Sequence, residues 1–237
     1  MTEYRLLSEF RGLFESKKYK HRSSNLGDFV AMHLYEDLVA VNKSDRYVIS
    51  VSEMSRVLNV QNRRKGIEAR RGDGTFGELI VGETPQVDPG YKVARGPVAT
   101  IEIGVEVKIL AKAMIKQIDR VKSDLVNQVH NFRRRSGSSN PICVAVLGIN
   151  YAEVTTGYEG DRSFRTDGGP NKHPIQEAEP ARVRLATVAP DYDEFLILKY
   201  RATNEPPYPF EWVNHRETTL EYGAALIRIS NEYQRRF

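Results

Sequence analysis

Residues 99–117 read ATIEIGVEVKILAKAMIKQ. From Ile101 to Ile109 apolar residues occupy every second position, and they are β-branched. This period of two predicts a strand with one buried face. Glu106 and Lys108 are two positions apart, so both side chains leave the same face of that strand. A carboxylate and an ammonium group held side by side suggest a site for a divalent cation and a phosphate.

The sequence after this strand predicts a helix and then a fully buried strand. Between residues 111 and 134 the apolar residues are three or four positions apart, the spacing of an amphipathic helix. Lys112, Lys116 and Arg120 are four apart on another face of this predicted helix. Residues 141–150, PICVAVLGIN, are continuously apolar, which is typical of a central strand in a parallel sheet.

Three helices are predicted before the central stretch. Helical spacing indicates helices over residues 3–17 and 25–41, and a capping-box pattern at residues 50–53 predicts a third. Together with the turn that follows, this third helix gives a helix-turn-helix-like segment over residues 52–71. The segment carries five basic residues that suit contact with DNA phosphates: Arg63, Arg64, Lys65, Arg70 and Arg71. A charged, exposed helix end explains the same pattern, and both interpretations stay open.

Two short strands are predicted between that segment and the central strand. They cover residues 75–82 and 86–95, and the second is interrupted by a Pro-Gly pair. A hairpin turn at residues 96–97 would place Asp88 opposite Val105, beside the carboxylate of the central strand. A bulge at the proline would change this register.

The C-terminal part is predicted to add a second strand and two helices. Residues 151–173 lack periodicity and are interpreted as a long loop. A helix is predicted over residues 175–188, a strand over 194–202 and a final helix over 217–233. The aromatic, proline-rich link at residues 204–214 could stack on bases, and packing in the core or a partner surface is favoured over that role.

Composition sets wide limits on the function. The chain has 237 residues, is 40% hydrophobic and carries a formal net charge of +4, which permits nucleic-acid binding without requiring it. The single cysteine, Cys143, excludes a disulfide framework and indicates a reducing, cytoplasmic location. No apolar run is long enough to span a membrane. We expect an N-terminal helical region, residues 1–49, packed on a core of residues 50–237.

The order of predicted elements, with Glu106-Val107-Lys108 on the third strand, resembles the PD-(D/E)XK nuclease superfamily. The resemblance covers about residues 50–150 and implies the restriction-endonuclease-like fold, an α/β (α+β) core with a mixed sheet flanked by helices. It implies that Glu106 helps to bind Mg²⁺, for which Mn²⁺ can substitute, and that Lys108 orients or activates the attacking water. A residue of the following helix would complete the site, either Gln117 or one of Lys112 and Lys116.

The first acidic residue of the superfamily pattern has two candidates, because the expected Pro-Asp pair is missing. Asp88 is slightly favoured, since the expected hairpin places it beside Glu106. Asp73 is the alternative, because the glycines on both sides of it would let the backbone approach a metal or phosphate. The predicted metal ligands are therefore Glu106 with Asp88 or Asp73.

Three functional hypotheses follow from these patterns. The first is a metal-dependent endonuclease that hydrolyses phosphodiester bonds of double-stranded DNA. Here the resemblance implies a homodimer or higher oligomer, and the narrower expectation is a type II restriction or phage-defence enzyme. The second is a non-catalytic, sequence-specific DNA-binding protein that uses the helix-turn-helix-like segment. The third is an interaction module with a partner surface at residues 208–212.

Overall fold

In the computed structural model, the central stretch forms the predicted strand within a six-stranded sheet. The structure describes residues 3–20, 25–59, 73–134, 140–168 and 172–237. The helices are α1 Arg5–Gly12, α2 Asn25–Val41, α3 Asp45–Ser52, α4 Met114–Arg134, α5 Pro174–Ala186 and α6 His215–Arg236. The strands are β1 Arg56–Asn59, β2 Gly74–Glu78, β3 Ile103–Leu110, β4 Ile142–Asn150, β5 Thr155–Glu159, β6 Arg162–Thr166, β7 Glu194–Ala202 and β8 Phe210–Trp212.

The large sheet is mixed, as the sequence predicts, with the order β1-β2-β3-β4-β7-β8. The pairs β1/β2 and β2/β3 are antiparallel, whereas β3, β4 and β7 run parallel to one another. Strand β8 closes one end by antiparallel pairing with β7. Parallel neighbours need a crossover connection, and α4 makes it between β3 and β4. The continuously apolar β4 is central and every one of its residues is buried, which confirms that prediction.

Helices cover both faces of this sheet. Val105 and Val107 of β3 belong to a core cluster that α1, α2, α3 and α6 share on one face. The other face packs against α4 and α5, where the predicted apolar stripe of α4 is buried. Gly104 lies beneath the Phe132 ring of α4, and a Cβ atom there would come within 2.6 Å of that ring. Since side chains alternate along a strand, Glu106 and Lys108 also face α4.

The prediction of a helix that begins at residues 50–53 is wrong. Helix α3 begins earlier, at Asp45, where the Ser44 side chain accepts a hydrogen bond from the amide of Tyr47 (3.2 Å). It ends at Ser52, and the chain then enters β1, so the proposed first helix of the helix-turn-helix does not form. Val57 and Leu58 are buried in β1, which pairs with β2, whereas Met54 lies before the strand and is 39% exposed. The second part of that segment lies outside the described residues.

The prediction of a strand over residues 86–95 is also wrong. The expected register, with Asp88 opposite Val105, is therefore wrong as well. These residues fold back on themselves, with one antiparallel bridge between Gln86 and Arg95. Strand β2 takes the place beside β3, with Gly74 opposite Val105. Pro89 lies in the turn between Gln86 and Arg95, and the missing side chain of Gly74 lets α2 approach β2. A Cβ at Gly74 would lie 2.9 Å from that of Ala31.

The long loop predicted over residues 151–173 contains a two-stranded hairpin, β5–β6. Its two-residue turn is Gly160-Asp161, and Gly160 has a φ of +59°, as the first central residue of a type II′ turn requires. A Gly-Asp pair between Thr- and aromatic-containing runs is a hairpin signal that the sequence interpretation missed.

The C-terminal elements agree with the sequence interpretation. The predicted strand over residues 194–202 is β7, and the predicted helices correspond to α5 and α6. Aromatic residues of the link at residues 204–214 pack into the core, where the Trp212 ring stacks on that of Phe10 with centroids 5.5 Å apart. Burial raises the pKa of the Cys143 thiol to about 12. Within the described part of the chain, no helix combines the length and hydrophobicity needed to cross a membrane.

Candidate active site

Glu106 and Lys108 form a close ion pair on the face of β3 that α4 covers. The Lys108 Nζ lies 2.7 Å from Glu106 Oε1 and 3.9 Å from Asp124 Oδ2 of α4. The side chains of Glu106 and Lys108 are 8% and 25% exposed, so the carboxylate is largely removed from water. A buried carboxylate needs a charged or hydrogen-bonding partner, and Lys108 supplies it.

Asp73 is the acidic residue that the structure brings to this pair. It directly precedes β2, and continuing the register of Gly74 with Val105 places Asp73 opposite Glu106. Its Oδ2 accepts a hydrogen bond from the backbone amide of Val107, at 2.7 Å. Val107 is the middle residue of the Glu-Val-Lys tripeptide, so the Asp73 carboxylate is held at the backbone of that tripeptide.

Asp88, the favoured first acid, is engaged elsewhere. In the turn formed by residues 86–95, its Oδ1 accepts a hydrogen bond from Arg95 Nη2 at 2.6 Å. The expected position opposite Val105 is wrong because residues 86–95 do not pair with β3. The antiparallel neighbour of β3 is β2, and Asp73 directly precedes β2.

The carboxylate of Asp73 also lies against the first turn of α2. A Cβ atom at Gly27 would come within 2.2 Å of Asp73 Oδ1, so only a glycine leaves room for the carboxylate in this position. The unpaired amides of a helix N-terminus favour a negative charge. The next residue, Asp28, is only 7% exposed and is a further acidic residue in this region that the sequence interpretation missed.

The predicted contributions from the start of α4 differ from the observed ones. Helix α4 begins at Met114, so Lys112 precedes the helix and does not share a helical face with Lys116, which is exposed. Gln117 donates to the Lys112 carbonyl (3.2 Å) rather than to the ion pair. The residue of α4 that lies near the ion pair is Asp124, about 10 Å further along the helix axis.

The start of α4 is fixed by a buried carboxylate from α5. The Oε2 of Glu177, which is 8% exposed, accepts a hydrogen bond from the Met114 amide at 2.9 Å. This contact satisfies one of the amides that a helix N-terminus leaves unpaired. Burial, and secondarily the charge of Glu106, raises the pKa of Tyr192, which lies on the same side of the sheet.

The carboxylates of Asp73 and Glu106 are the type of ligand that a hard divalent cation prefers. Asp73 and Glu106 offer oxygen ligands, which Mg²⁺ prefers. Across the residues that the structure describes, no group of three or more His, Cys, Asp or Glu side chains is arranged to hold a metal. Mg²⁺ commonly takes only one or two protein carboxylates and completes its shell with water and substrate phosphate. Asp73 and Glu106 would supply this number of carboxylates.

No protein-family model matches this chain, and neither do any curated proteins or solved structures. The basic cluster predicted to contact DNA lies outside the described residues; it comprises Arg63, Arg64, Lys65, Arg70 and Arg71. The other two predicted DNA contacts are Lys112 and Lys116. They lie just before α4 and in its first turn.

Proposed function

We propose that the chain is a Mg²⁺-dependent endodeoxyribonuclease with the restriction-endonuclease-like fold of the PD-(D/E)XK superfamily. The order of elements supports this proposal, because α3, β1, β2, β3, α4 and β4 follow one another as the resemblance requires. A mixed sheet with helices on both faces is consistent with the same fold. A homodimer is the expected assembly, because both strands of a duplex must be cut.

The observation that carries the proposal is the hydrogen bond from the Val107 amide to Asp73. It joins an acidic residue at the end of β2 to the Glu-x-Lys tripeptide of β3. Glu-x-Lys alone is a weak signal, and the chain contains it again at residues 15–17. At residues 106–108, the Asp73 carboxylate lies 2.7 Å from the Val107 amide and would be the second acid of the superfamily pattern.

In the proposed reaction, each of the three side chains has a separate role. Asp73 and Glu106 would hold the divalent ion. When bound, such an ion offsets charge on the phosphate and lowers the pKa of a coordinated water. Lys108, held 2.7 Å from Glu106, places a positive charge where negative charge develops on the phosphate oxygens. The 25% exposure of the Lys108 side chain leaves it accessible to a substrate.

The proposal is tested by incubating the purified chain with supercoiled plasmids and phage genomes that differ in sequence and methylation. We expect nicked or linear products with Mg²⁺ or Mn²⁺, and none when the ions are chelated by EDTA. Light scattering in the same buffer reports the oligomeric state. Intact DNA with both ions across the whole panel would contradict the proposed activity.

Replacing Gly27 by alanine is expected to slow cleavage at least about tenfold without destabilising the fold. The new methyl group would displace the Asp73 carboxylate, because its Cβ would lie 2.2 Å from Oδ1. A carboxylate at the end of a flexible side chain can move, and alanine favours a helix over glycine by up to about 1 kcal/mol. The cleavage rate and the thermal unfolding midpoint are the two measurements.

Gly12→Ala is the matched control, because Gly12 is also in a helix and a Cβ there meets no atom within 4 Å. It should leave both the cleavage rate and the midpoint within error or slightly raise the midpoint. Equal rates for the two variants would contradict the placement of Asp73 against α2.

A further inference from the structure

The hairpin β5–β6, called the ribbon below, projects an exposed tip from a buried base. Thr155, Thr156 and Thr166 at the base are buried, whereas residues 161–165 near the tip are exposed. Phe164 is 39% exposed. A two-stranded hairpin is marginally stable on its own, so its conformation has to be set by what holds the base.

The base is held by hydrogen bonds to the end of β7 and to the segment after α1. Asn204, which is 1% exposed, donates to the carbonyls of Thr156 (2.7 Å) and Tyr19 (3.0 Å). The Thr156 amide donates to the Thr203 carbonyl at 2.8 Å. These bonds fix the base to the core while leaving the tip outside it.

The register separates the side chains of the ribbon into two different faces. Phe164 is opposite Gly157, so the residue directly across the ladder has no side chain to cover the ring. Arg162 shares this face, since it follows the same alternation. Arg165 lies on the other face, where its guanidinium pairs with Glu205 (Nε to Oε1, 2.9 Å).

The face with Phe164 is linked to the candidate active site through Lys112. The Lys112 Nζ lies 5.1 Å from the centroid of the Phe164 ring. Lys112 follows Lys108 by four residues, which is at most about 13 Å of extended chain. A duplex rises about 3.4 Å per base pair, so the backbone positions of Lys108 and Lys112 are separated by no more than about four base pairs.

The composition of the ribbon suits reading of bases rather than general attraction to phosphate. Its four charged residues, Glu159, Asp161, Arg162 and Arg165, cancel in formal charge. Affinity for the DNA backbone comes from excess positive charge, which the ribbon lacks. In the major groove, arginine donates hydrogen bonds to guanine and acidic side chains accept one from cytosine. An aromatic ring can contact the thymine methyl group.

We propose that the ribbon enters the major groove of duplex DNA and reads base pairs beside the cleavage site, with Phe164 and Arg162 as the reading residues. This inference rests on the proposed nuclease function. The major groove is about 12 Å wide and admits a two-stranded β-ribbon. Lys112, beside the Phe164 ring, would contact a flanking phosphate, which fixes position without reading sequence.

The test uses a pool of duplexes with a randomised central segment, bound by the full-length chain with Ca²⁺ in place of Mg²⁺. Bound duplexes are sequenced, and total affinity for the pool is measured by fluorescence anisotropy. We expect the unaltered chain to enrich a motif. Phe164→Ala and Arg162→Ala should each reduce the enrichment at one or more positions about tenfold, the discrimination that one base contact supplies. Affinity for the unselected pool should change less than about threefold.

Arg165→Ala is the matched control, because it removes the same charge from the opposite face of the ribbon. It should keep the motif, and all three variants should keep the unfolding midpoint of the unaltered chain. The inference is overturned if Phe164→Ala and Arg162→Ala keep the motif, if Arg165→Ala loses it equally, or if the unaltered chain enriches none. DNA cleavage without an enriched motif would overturn the ribbon assignment alone. An enriched motif reduced by the ribbon variants, without cleavage in Mg²⁺, would overturn only the nuclease proposal.

Discussion

Asp73→Asn should reduce DNA cleavage at least about a hundredfold, whereas Asp88→Asn should leave it unchanged. The expectation follows from the observed strand pairing, which puts Asp73 at the Val107 amide and Asp88 in an ion pair with Arg95. The asparagine keeps the shape and a hydrogen-bond acceptor but removes the negative charge that a divalent ion needs. Losses of this size are typical when a group that stabilises transition-state charge is removed.

The measurement is the single-turnover rate of nicking of a supercoiled plasmid in Mg²⁺. Glu106→Gln and Lys108→Ala extend the series and should lose activity to a similar extent. Binding of the same DNA in Ca²⁺ and the unfolding midpoint show whether a variant has lost chemistry or folding. A slow Asp88→Asn variant beside a fast Asp73→Asn variant would contradict the assignment of the first acid.

The central strand and its neighbours could be predicted because their patterns come from burial alone. The alternation in β3 and the continuous apolar run of β4 are set by how many faces of each strand the core covers. The apolar stripe of α4 likewise reflects one helix face against the sheet. From these patterns the mixed sheet, the helix crossover and the shared face of Glu106 and Lys108 could all be predicted.

Pairing between strands could not be predicted, because it depends on contacts between distant segments. Residues 86–95 are nearer to β3 in sequence, yet β2 pairs with it, and Gly74 of β2 packs closely against α2. The partner of β3 determines which acid lies next to the Glu-x-Lys tripeptide. Because the predicted pairing was wrong, the position expected for the favoured acid, Asp88, was wrong too. The Gly27 contact with Asp73 is of the same kind, since no local pattern joins α2 to the end of β2.

Short apolar segments were the other source of error. Val57 and Leu58 fit a helix or a strand equally well by spacing, and the contact with β2 decides between them. The start of α3 has two candidate N-cap residues, Ser44 and Ser50, and each comes shortly before apolar residues. The sequence alone does not decide between them. The hairpin β5–β6 is a different case, since its Gly160-Asp161 turn was a usable local signal.

The second large effect is expected on stability, from Asn150→Ala at the end of β4. Asn150 is fully buried, and its side chain makes four hydrogen bonds to backbone groups. Its Nδ2 donates to the carbonyls of Ala111 (3.2 Å) and Ala202 (2.8 Å). Its Oδ1 accepts from the amides of Ala152 (3.0 Å) and Ala202 (3.1 Å). The side chain thus joins the ends of β3, β4 and β7.

Alanine would leave these four backbone groups without their partner in the interior, where each unsatisfied group costs roughly 1–3 kcal/mol. Because water and local relaxation recover part of this cost, we expect the free energy of unfolding to fall by about 3–5 kcal/mol. Urea unfolding gives this loss as a lower midpoint concentration with an unchanged slope. Asn214→Ala is the matched control, since it removes one N-cap bond to Glu217 (3.1 Å) and should cost about 1 kcal/mol.

The position of Asn150 also links this stability to the candidate site. Ala111 directly precedes Lys112, and Ala152 leads into the ribbon, so the side chain holds both segments against β4. In Asn150→Ala, DNA cleavage measured well below the unfolding midpoint should therefore fall, whereas in Asn214→Ala it should not. Equal losses of stability in the two variants would show that Asn150 is not the connection between the three strand ends. Unchanged cleavage by a destabilised Asn150→Ala chain would show that this connection does not position the site.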